Sequence, residues 1–139
     1  SKLFPNNIIL VVDVGTCITF DLIKNNVYFG GSITSGINMR YNSLKNNTFN
    51  LPIINEITKM ELVGDSTNNS IKSGVLNGLL CEIDGMIAAY KYQYSDLKVV
   101  ITGGDCMFFD KELKNSIFVD QDLVLKGLNE ILDFNYETY

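Results

Sequence analysis

Ile8-Ile9-Leu10-Val11-Val12-Asp13-Val14-Gly15-Thr16-Cys17-Ile18-Thr19-Phe20-Asp21-Leu22-Ile23 is the stretch that decides the fold. Its first five residues form an unbroken aliphatic run, the pattern of a central strand covered on both faces. The run ends at Asp13-Val14-Gly15-Thr16. A second strand follows, in which Thr19 and Asp21 alternate with Ile18, Phe20 and Leu22. Lys24-Asn25-Asn26 makes a turn, because asparagine tolerates left-handed dihedrals. Val27-Tyr28-Phe29-Gly30-Gly31-Ser32-Ile33 is then a third strand, antiparallel like the first two.

Outward from this meander, the spacing of Ile37, Tyr41 and Leu44 after Gly36 predicts a short helix, broken between Asn46 and Pro52. Ile53 to Val63 has no clean period and is read as loop with a possible short strand. The longest helix starts at Ser66 or Thr67 as N-cap, with Ile71, Val75, Leu79, Ile83, Met86, Ile87 and Tyr90 on one apolar stripe. Gly74, Gly78 and Gly85 weaken it by about 1 kcal/mol each relative to alanine. They point either to close approach of this helix to the sheet or another helix, or to a subunit interface. A strand at Leu97–Ile101, a turn at Thr102-Gly103-Gly104-Asp105, a helix to about Asn115, a short strand at Ser116–Val119 and a helix capped by Asp120 or Asp122 complete the chain. The fold class is α/β: three antiparallel strands followed by helix-strand-helix-strand-helix in one mixed sheet, with the short helix after Gly36 preceding the long one.

Composition narrows the chemistry. The 139 residues are 46% hydrophobic and 19% charged, an ordinary globular balance. Eleven basic residues against sixteen acidic ones leave a formal charge of -5, and Arg40 is the sole arginine, so a nucleic-acid backbone has little to hold. With no histidine, a Ser-His-Asp triad, a Cys-His pair and a His-ligated zinc site are excluded. Cys17, Cys81 and Cys106 lie far apart in apolar stretches and read as reduced core thiols of a cytoplasmic protein, not a disulfide scaffold. No apolar run reaches the ~18 residues a membrane span needs, so no membrane partner is expected. The first residues, Ser1-Lys2-Leu3-Phe4-Pro5, lead into a strand without an initiator methionine, and the expectation is that an N-terminal part of a longer protein is missing.

Four places carry candidate chemistry. Asp13 ends a buried strand, where an unpartnered carboxylate is costly. A cation or a solvated nucleotide would satisfy it, and so would a role capping the hairpin. Beside it, Gly15 lets a ligand approach the backbone, while Thr16 and the turn's amides offer donors to an anion. Gly103 and Gly104 follow another buried strand and open a helix, an arrangement that accepts a flat or anionic ligand or simply makes the turn. Gly30-Gly31-Ser32-Ile33-Thr34-Ser35-Gly36 either shapes a loop or exposes main chain to a substrate. Thr67, in Gly64-Asp65-Ser66-Thr67, offers a hydroxyl at a helix start, where capping alone is also sufficient.

Taken in order, these motifs resemble the C-terminal half of type III pantothenate kinase, a family of the acetate and sugar kinase, Hsp70 and actin superfamily. The likeness runs from about Ile8 to Leu132. It rests on Asp13-x-Gly15-Thr16-x-x-Thr19-x-Asp21, Gly30-Gly31-x-Ile33 with Gly36, and Leu44 through Thr48 to Leu51-Pro52. Gly64-x-x-Thr67-x-x-x-Ile71-x-x-Gly74-x-x-x-Gly78, Thr102-Gly103-Gly104-Asp105 and Leu123-Val124-Leu125-x-Gly127-Leu128 follow.

The resemblance implies a ribonuclease H-like domain, residues 1–139 being the C-terminal domain of a two-domain kinase that uses ATP to phosphorylate pantothenate, the first step toward coenzyme A. It implies that Asp13 binds a monovalent cation, potassium or ammonium, that Gly15, Thr16, Gly103 and Gly104 contact ATP with its Mg2+, and that Thr67 contacts pantothenate. A homodimer is implied, with the Gly74 and Gly78 helix in its interface. The catalytic residues belong to the missing N-terminal domain, so the chain alone is expected to be inactive. Cys17, Ser35 and Phe49 depart from the family's usual Ala, Pro and Ala. Two other readings stay open: a kinase of another small hydroxyl acceptor, and a non-catalytic accessory factor for transcription.

Overall fold

The computed structural model describes residues 4–137. Strands β1 (Ile8–Val14), β2 (Cys17–Lys24) and β3 (Val27–Ser35) form the expected meander, and β4 (Leu97–Thr102) and β5 (Phe118–Val119) complete one mixed five-stranded sheet in the order β3-β2-β1-β4-β5. β1 is antiparallel to β2 and parallel to β4. Because β1 is central and covered on both faces, Ile9, Leu10, Val12 and Val14 are all buried, as its unbroken aliphatic run requires. The β2–β3 turn uses Asn25 and Asn26 at φ 52° and 62°, the left-handed pair that matches a hairpin's twist.

Two helices, α1 (Ile37–Asn46) and α2 (Thr67–Gln93), separate β3 from β4, the short helix after Gly36 and the long helix that the sequence places there. Ser66 is the N-cap of α2, its hydroxyl accepting from the Asn69 amide at 3.3 Å. Val75, Leu76, Leu79, Ile83 and Ile87 join Leu10, Val12, Phe20, Val99 and Ile101 in one core cluster.

The segment between α1 and α2 forms no strand, contrary to the short one allowed for Ile53–Val63. Side chains of neighbouring helices hold it instead. Tyr41 donates to the Glu56 carbonyl at 3.2 Å, Ser73 to that of Leu62 at 2.7 Å and Asn77 to that of Glu61 at 3.2 Å. Burial and the nearby Glu56 carboxylate push the Tyr41 hydroxyl up to about 12, so it remains a donor at any physiological pH.

α3 (Cys106–Glu112) stops short of Asn115, and α4 (Leu123–Glu137) follows directly on Asp122. The α3 end is set by Asp84 of α2, which accepts from the Lys114 and Asn115 amides. The thiols also differ from expectation: only Cys106 is buried, whereas Cys17 and Cys81 are exposed. Cys17 stands at the open turn that begins β2 and Cys81 on the outer side of α2, where an apolar neighbourhood in sequence does not mean burial.

The glycines of α2 meet nothing. A Cβ on Gly74, Gly78 or Gly85 has no neighbour within 4 Å, so close approach inside the chain does not account for them. Gly78→Ala is therefore expected to stabilise this chain by about 1 kcal/mol, whereas Ile83→Ala, which opens a cavity in the core, costs about 2–5 kcal/mol. Urea unfolding midpoints of the two variants check both signs.

Candidate functional site

β1 and β4 run parallel and in register, Asp13 opposite Thr102, so the turns that leave their C-terminal ends emerge side by side. This is where sheets of this kind bind ligands. Gly103 has φ 98°, and a Cβ there would stand 2.5 Å from both Asp13 Oδ1 and the Val14 carbonyl oxygen. Asp13 Oδ1 also lies beside Gly15, 3.8 Å from where its Cβ would be. The carboxylate of Asp13 thus sits between the two glycine turns that the sequence presents nearly ninety residues apart.

A third segment closes on the same point. The Gly36 amide donates to the Thr16 carbonyl at 3.0 Å, and a Cβ on Gly36 would collide with the carbonyl oxygens of Gly15 and Thr16. The Asp105 amide donates to the Val14 carbonyl at 3.1 Å, fixing the β4–α3 junction to the end of β1. Asp13, Gly15, Thr16, Gly103 and Gly104 are brought together by these contacts.

The turn offers fewer donors than its sequence suggests. The Gly15 amide is used internally, donating to the Cys17 carbonyl at 3.0 Å. Thr16 is exposed, and no hydrogen bond of its side chain or amide is found among the described residues, so both can serve a ligand. Gly104 has open space where a Cβ would be, which leaves its backbone approachable. The helix that follows contributes little: α3 has seven residues, with Asp105 at its N-cap.

Electrostatically the site is an uncompensated carboxylate. Burial, and secondarily the Asp21 carboxylate, push the Asp13 carboxyl above its ordinary range. Asp21 itself is satisfied, accepting from Thr19 Oγ1 at 2.7 Å and from the Tyr28 hydroxyl at 2.9 Å. No donor to Asp13 is found among the described residues. Burial also raises the Asp105 carboxyl.

Thr67 lies elsewhere. With Ser35, Arg40, Leu44, Ser70, Ile71 and others it lines a cavity of about 890 Å³ between α1 and α2. Ser35, on its wall, directly precedes Gly36, whose amide is bonded to the Thr16 carbonyl. Sequence reasoning passed over Arg40, although being the only arginine was a signal. Its guanidinium donates to the Ser35 carbonyl at 2.9 Å, to Thr34 Oγ1 at 3.1 Å and to Glu82 Oε2 at 2.7 Å, tying the β3–α1 junction to α2. The glycine-rich segment before it is strand: Gly31 pairs with Asp21, Gly30 with Leu22 beside a bulge, and a Cβ on Gly31 would collide with the Phe20 carbonyl. Its glycines shape the sheet.

The sequence profile of the type III pantothenate kinases matches residues 1–89. The chain belongs to the type III pantothenate kinase family. Proteins named type III pantothenate kinase from Christiangramia forsetii and Bacteroides fragilis are 44% and 45% identical to it, each over 95% of this chain and 55% of their own length. The one from Cytophaga hutchinsonii is 45% identical over 97% of this chain and 58% of its own. The chain therefore spans little more than half the length of those relatives. Among solved structures, one described as a Baf family transcriptional activator from Campylobacter jejuni has a TM-score of 0.61 at 24% identity, covering 95% of this chain and 60% of that one. The Alp12 filament structure has a TM-score of 0.56 at 16% identity, covering 86% and 44%. Both establish likeness of fold.

The two glycines of the β4–α3 turn of this family member are expected to respond differently to substitution. Gly103→Ala forces a left-handed φ and a collision with Asp13 and Val14, and should destabilise the chain by about 1–3 kcal/mol or more. Gly104→Ala should leave the unfolding midpoint nearly unchanged, because its Cβ enters open space. Denaturant titration of both variants makes the comparison.

Proposed function

We propose that the protein to which this chain belongs phosphorylates pantothenate on its primary hydroxyl with ATP, the first step of coenzyme A biosynthesis in the cytoplasm. The observation that carries the reading is the Asp13 carboxylate held between the Gly15 and Gly103 turns, taken with membership of the family. Residues 1–139 are the C-terminal domain of a two-domain kinase, with the ribonuclease H-like fold of the actin-like ATPase superfamily. The catalytic base comes from the N-terminal domain. The apolar stripe of α4, with Leu125, Leu128, Ile131 and Leu132 all more than half exposed, supports the presence of further chain, since monomeric surfaces rarely leave so continuous a patch bare.

Phosphoryl transfer asks for positioning and for neutralisation of charge on the moving group, not for an imidazole. The free amide and hydroxyl of Thr16 hold phosphate oxygens, Gly15 and Gly104 let the nucleotide lie against main chain, and Gly103, lacking a Cβ, leaves room for the Asp13 carboxylate beside them. Asp13 would hold a monovalent cation, K+ or NH4+. The residues fit it: a half-buried carboxylate lacks a donor, and among the described residues no group of three acidic or sulfur ligands forms a divalent site. Mg2+ accompanies the ATP. Such cations supply positive charge against the phosphates. Thr67 and its cavity take pantothenate, and Gly74, on the cavity wall, and Gly78 lie in the interface of a homodimer.

A nucleic-acid-binding role is disfavoured by the charge of -5 and by Arg40, whose guanidinium is already paired with Glu82. ADP release by the full-length protein, with and without pantothenate and in potassium or sodium buffer, tests the assignment. Turnover should require pantothenate and rise in potassium, Asp13→Ala should lower it about 10- to 100-fold and erase the potassium effect, and residues 1–139 alone should release no ADP. Turnover that is indifferent to pantothenate would move the assignment to another acceptor.

A further inference from the structure

Thr102 is 1% exposed, and its hydroxyl has no hydrogen-bond partner among the described residues. A hydroxyl removed from water without a partner is costly, and valine would fill the same strand position without that cost. The position gives the hydroxyl a use. Thr102 is the register partner of Asp13 across the parallel β1–β4 pair, and directly paired residues in a sheet project to the same face. Asp13 and Thr102 therefore project to one face at the ends of neighbouring strands, and yet their side chains are not hydrogen-bonded to each other. Directly after Thr102, the left-handed Gly103 passes against Asp13 Oδ1 and keeps the carboxylate turned toward the end of β4.

We propose that the Thr102 hydroxyl oxygen is a ligand of the monovalent cation held by Asp13, the two oxygens binding one ion between β1 and β4. This rests on the cation reading of Asp13 and adds to it the residue that completes the pair. The chemistry of the donors suits a large, weakly charged ion. One carboxylate and one neutral hydroxyl carry a single negative charge, whereas Mg2+ demands a near-ideal octahedron of oxygens and surrenders its water reluctantly. Asp21, the second carboxylate on this face, does not compete, because Thr19 and Tyr28 occupy its oxygens. The ion thus relieves two unsatisfied groups at once, the carboxylate and the hydroxyl.

The test is thermal unfolding of the full-length protein in rising KCl, with choline chloride holding ionic strength constant and no nucleotide present, since an ion at concentration c that binds only the native state stabilises it by RT ln(1 + c/Kd) and raises Tm once c exceeds Kd. Thr102→Val should raise the Kd fitted to the KCl dependence of Tm about tenfold, and Thr102→Ser, which restores the hydroxyl, should bring it back near the wild-type value. In choline alone Thr102→Val should melt no lower than wild type, because it removes a polar group that has no partner. If Thr102→Val does not fold, Thr102→Ala is read by the same criterion. An unchanged potassium dependence in Thr102→Val, while Asp13→Asn abolishes it, overturns the role of the hydroxyl alone. Potassium dependence that survives in Asp13→Asn as well overturns the cation reading, and this proposal with it.

Discussion

Two missing Cβ atoms hold the site together. Gly36 presses on the Gly15–Thr16 turn from the β3–α1 junction and Gly103 presses on Asp13 and Val14 from the β4–α3 junction, each so closely that a methyl group would collide with main chain. Three segments distant in sequence converge at the C-terminal ends of β1 and β4 only because those atoms are absent. The hydrogen bonds from Gly36 to Thr16 and from Asp105 to Val14 then lock the convergence. Once this contact is made, the position of Asp13 and the exposure of Thr16 follow without further adjustment.

The same closeness creates the electrostatic problem that defines the site. Asp13 and Asp21 share one face of the sheet, and the structure treats them differently. Asp21 is provided with two hydroxyl donors. Asp13 is half-buried with none, and its carboxyl is pushed upward by burial and by its neighbour. A carboxylate placed this way is destabilising in isolation, and no donor among the described residues offsets that cost. That asymmetry, more than the number of acidic residues, distinguishes Asp13 from Asp21.

Much of this was legible in the sequence, and what was not has physical causes. β1 announced itself by its unbroken aliphatic run and α2 by its apolar stripe and Ser66 cap, because both signals are local. The Asn25-Asn26 turn and the glycine turns were equally local. Register was not: nothing in the order of residues says that Asp13 pairs with Thr102, so the buried hydroxyl beside the carboxylate appears only once β1 and β4 are aligned. The exposure of Cys17 and Cys81 and the early end of α3 depend on long-range packing, the latter on Asp84 reaching the Lys114 and Asn115 amides. Gly74 and Gly78 illustrate a different limit. Their spacing offered two uses for one helix face, and only the packed structure shows that no described residue comes within 4 Å of a Cβ placed on either.

Arg40 connects the two halves of the site. Its guanidinium is anchored on the Ser35 carbonyl and Thr34 hydroxyl at one end and on Glu82 at the other, and both Arg40 and Ser35 belong to the wall of the Thr67 cavity. The next residue along, Gly36, is the one bonded to Thr16. Arg40 is thus joined to the turn that faces the Asp13 carboxylate through two hydrogen bonds and the one peptide link between Ser35 and Gly36. The pair is only partly exposed, at 24% and 33% for the two side chains, and water screens it less than a surface ion pair. The β3–α1 junction is therefore held to α2 by charge as well as by chain connectivity, which fixes Ser35 on the cavity wall and Gly36 against the Gly15–Thr16 turn.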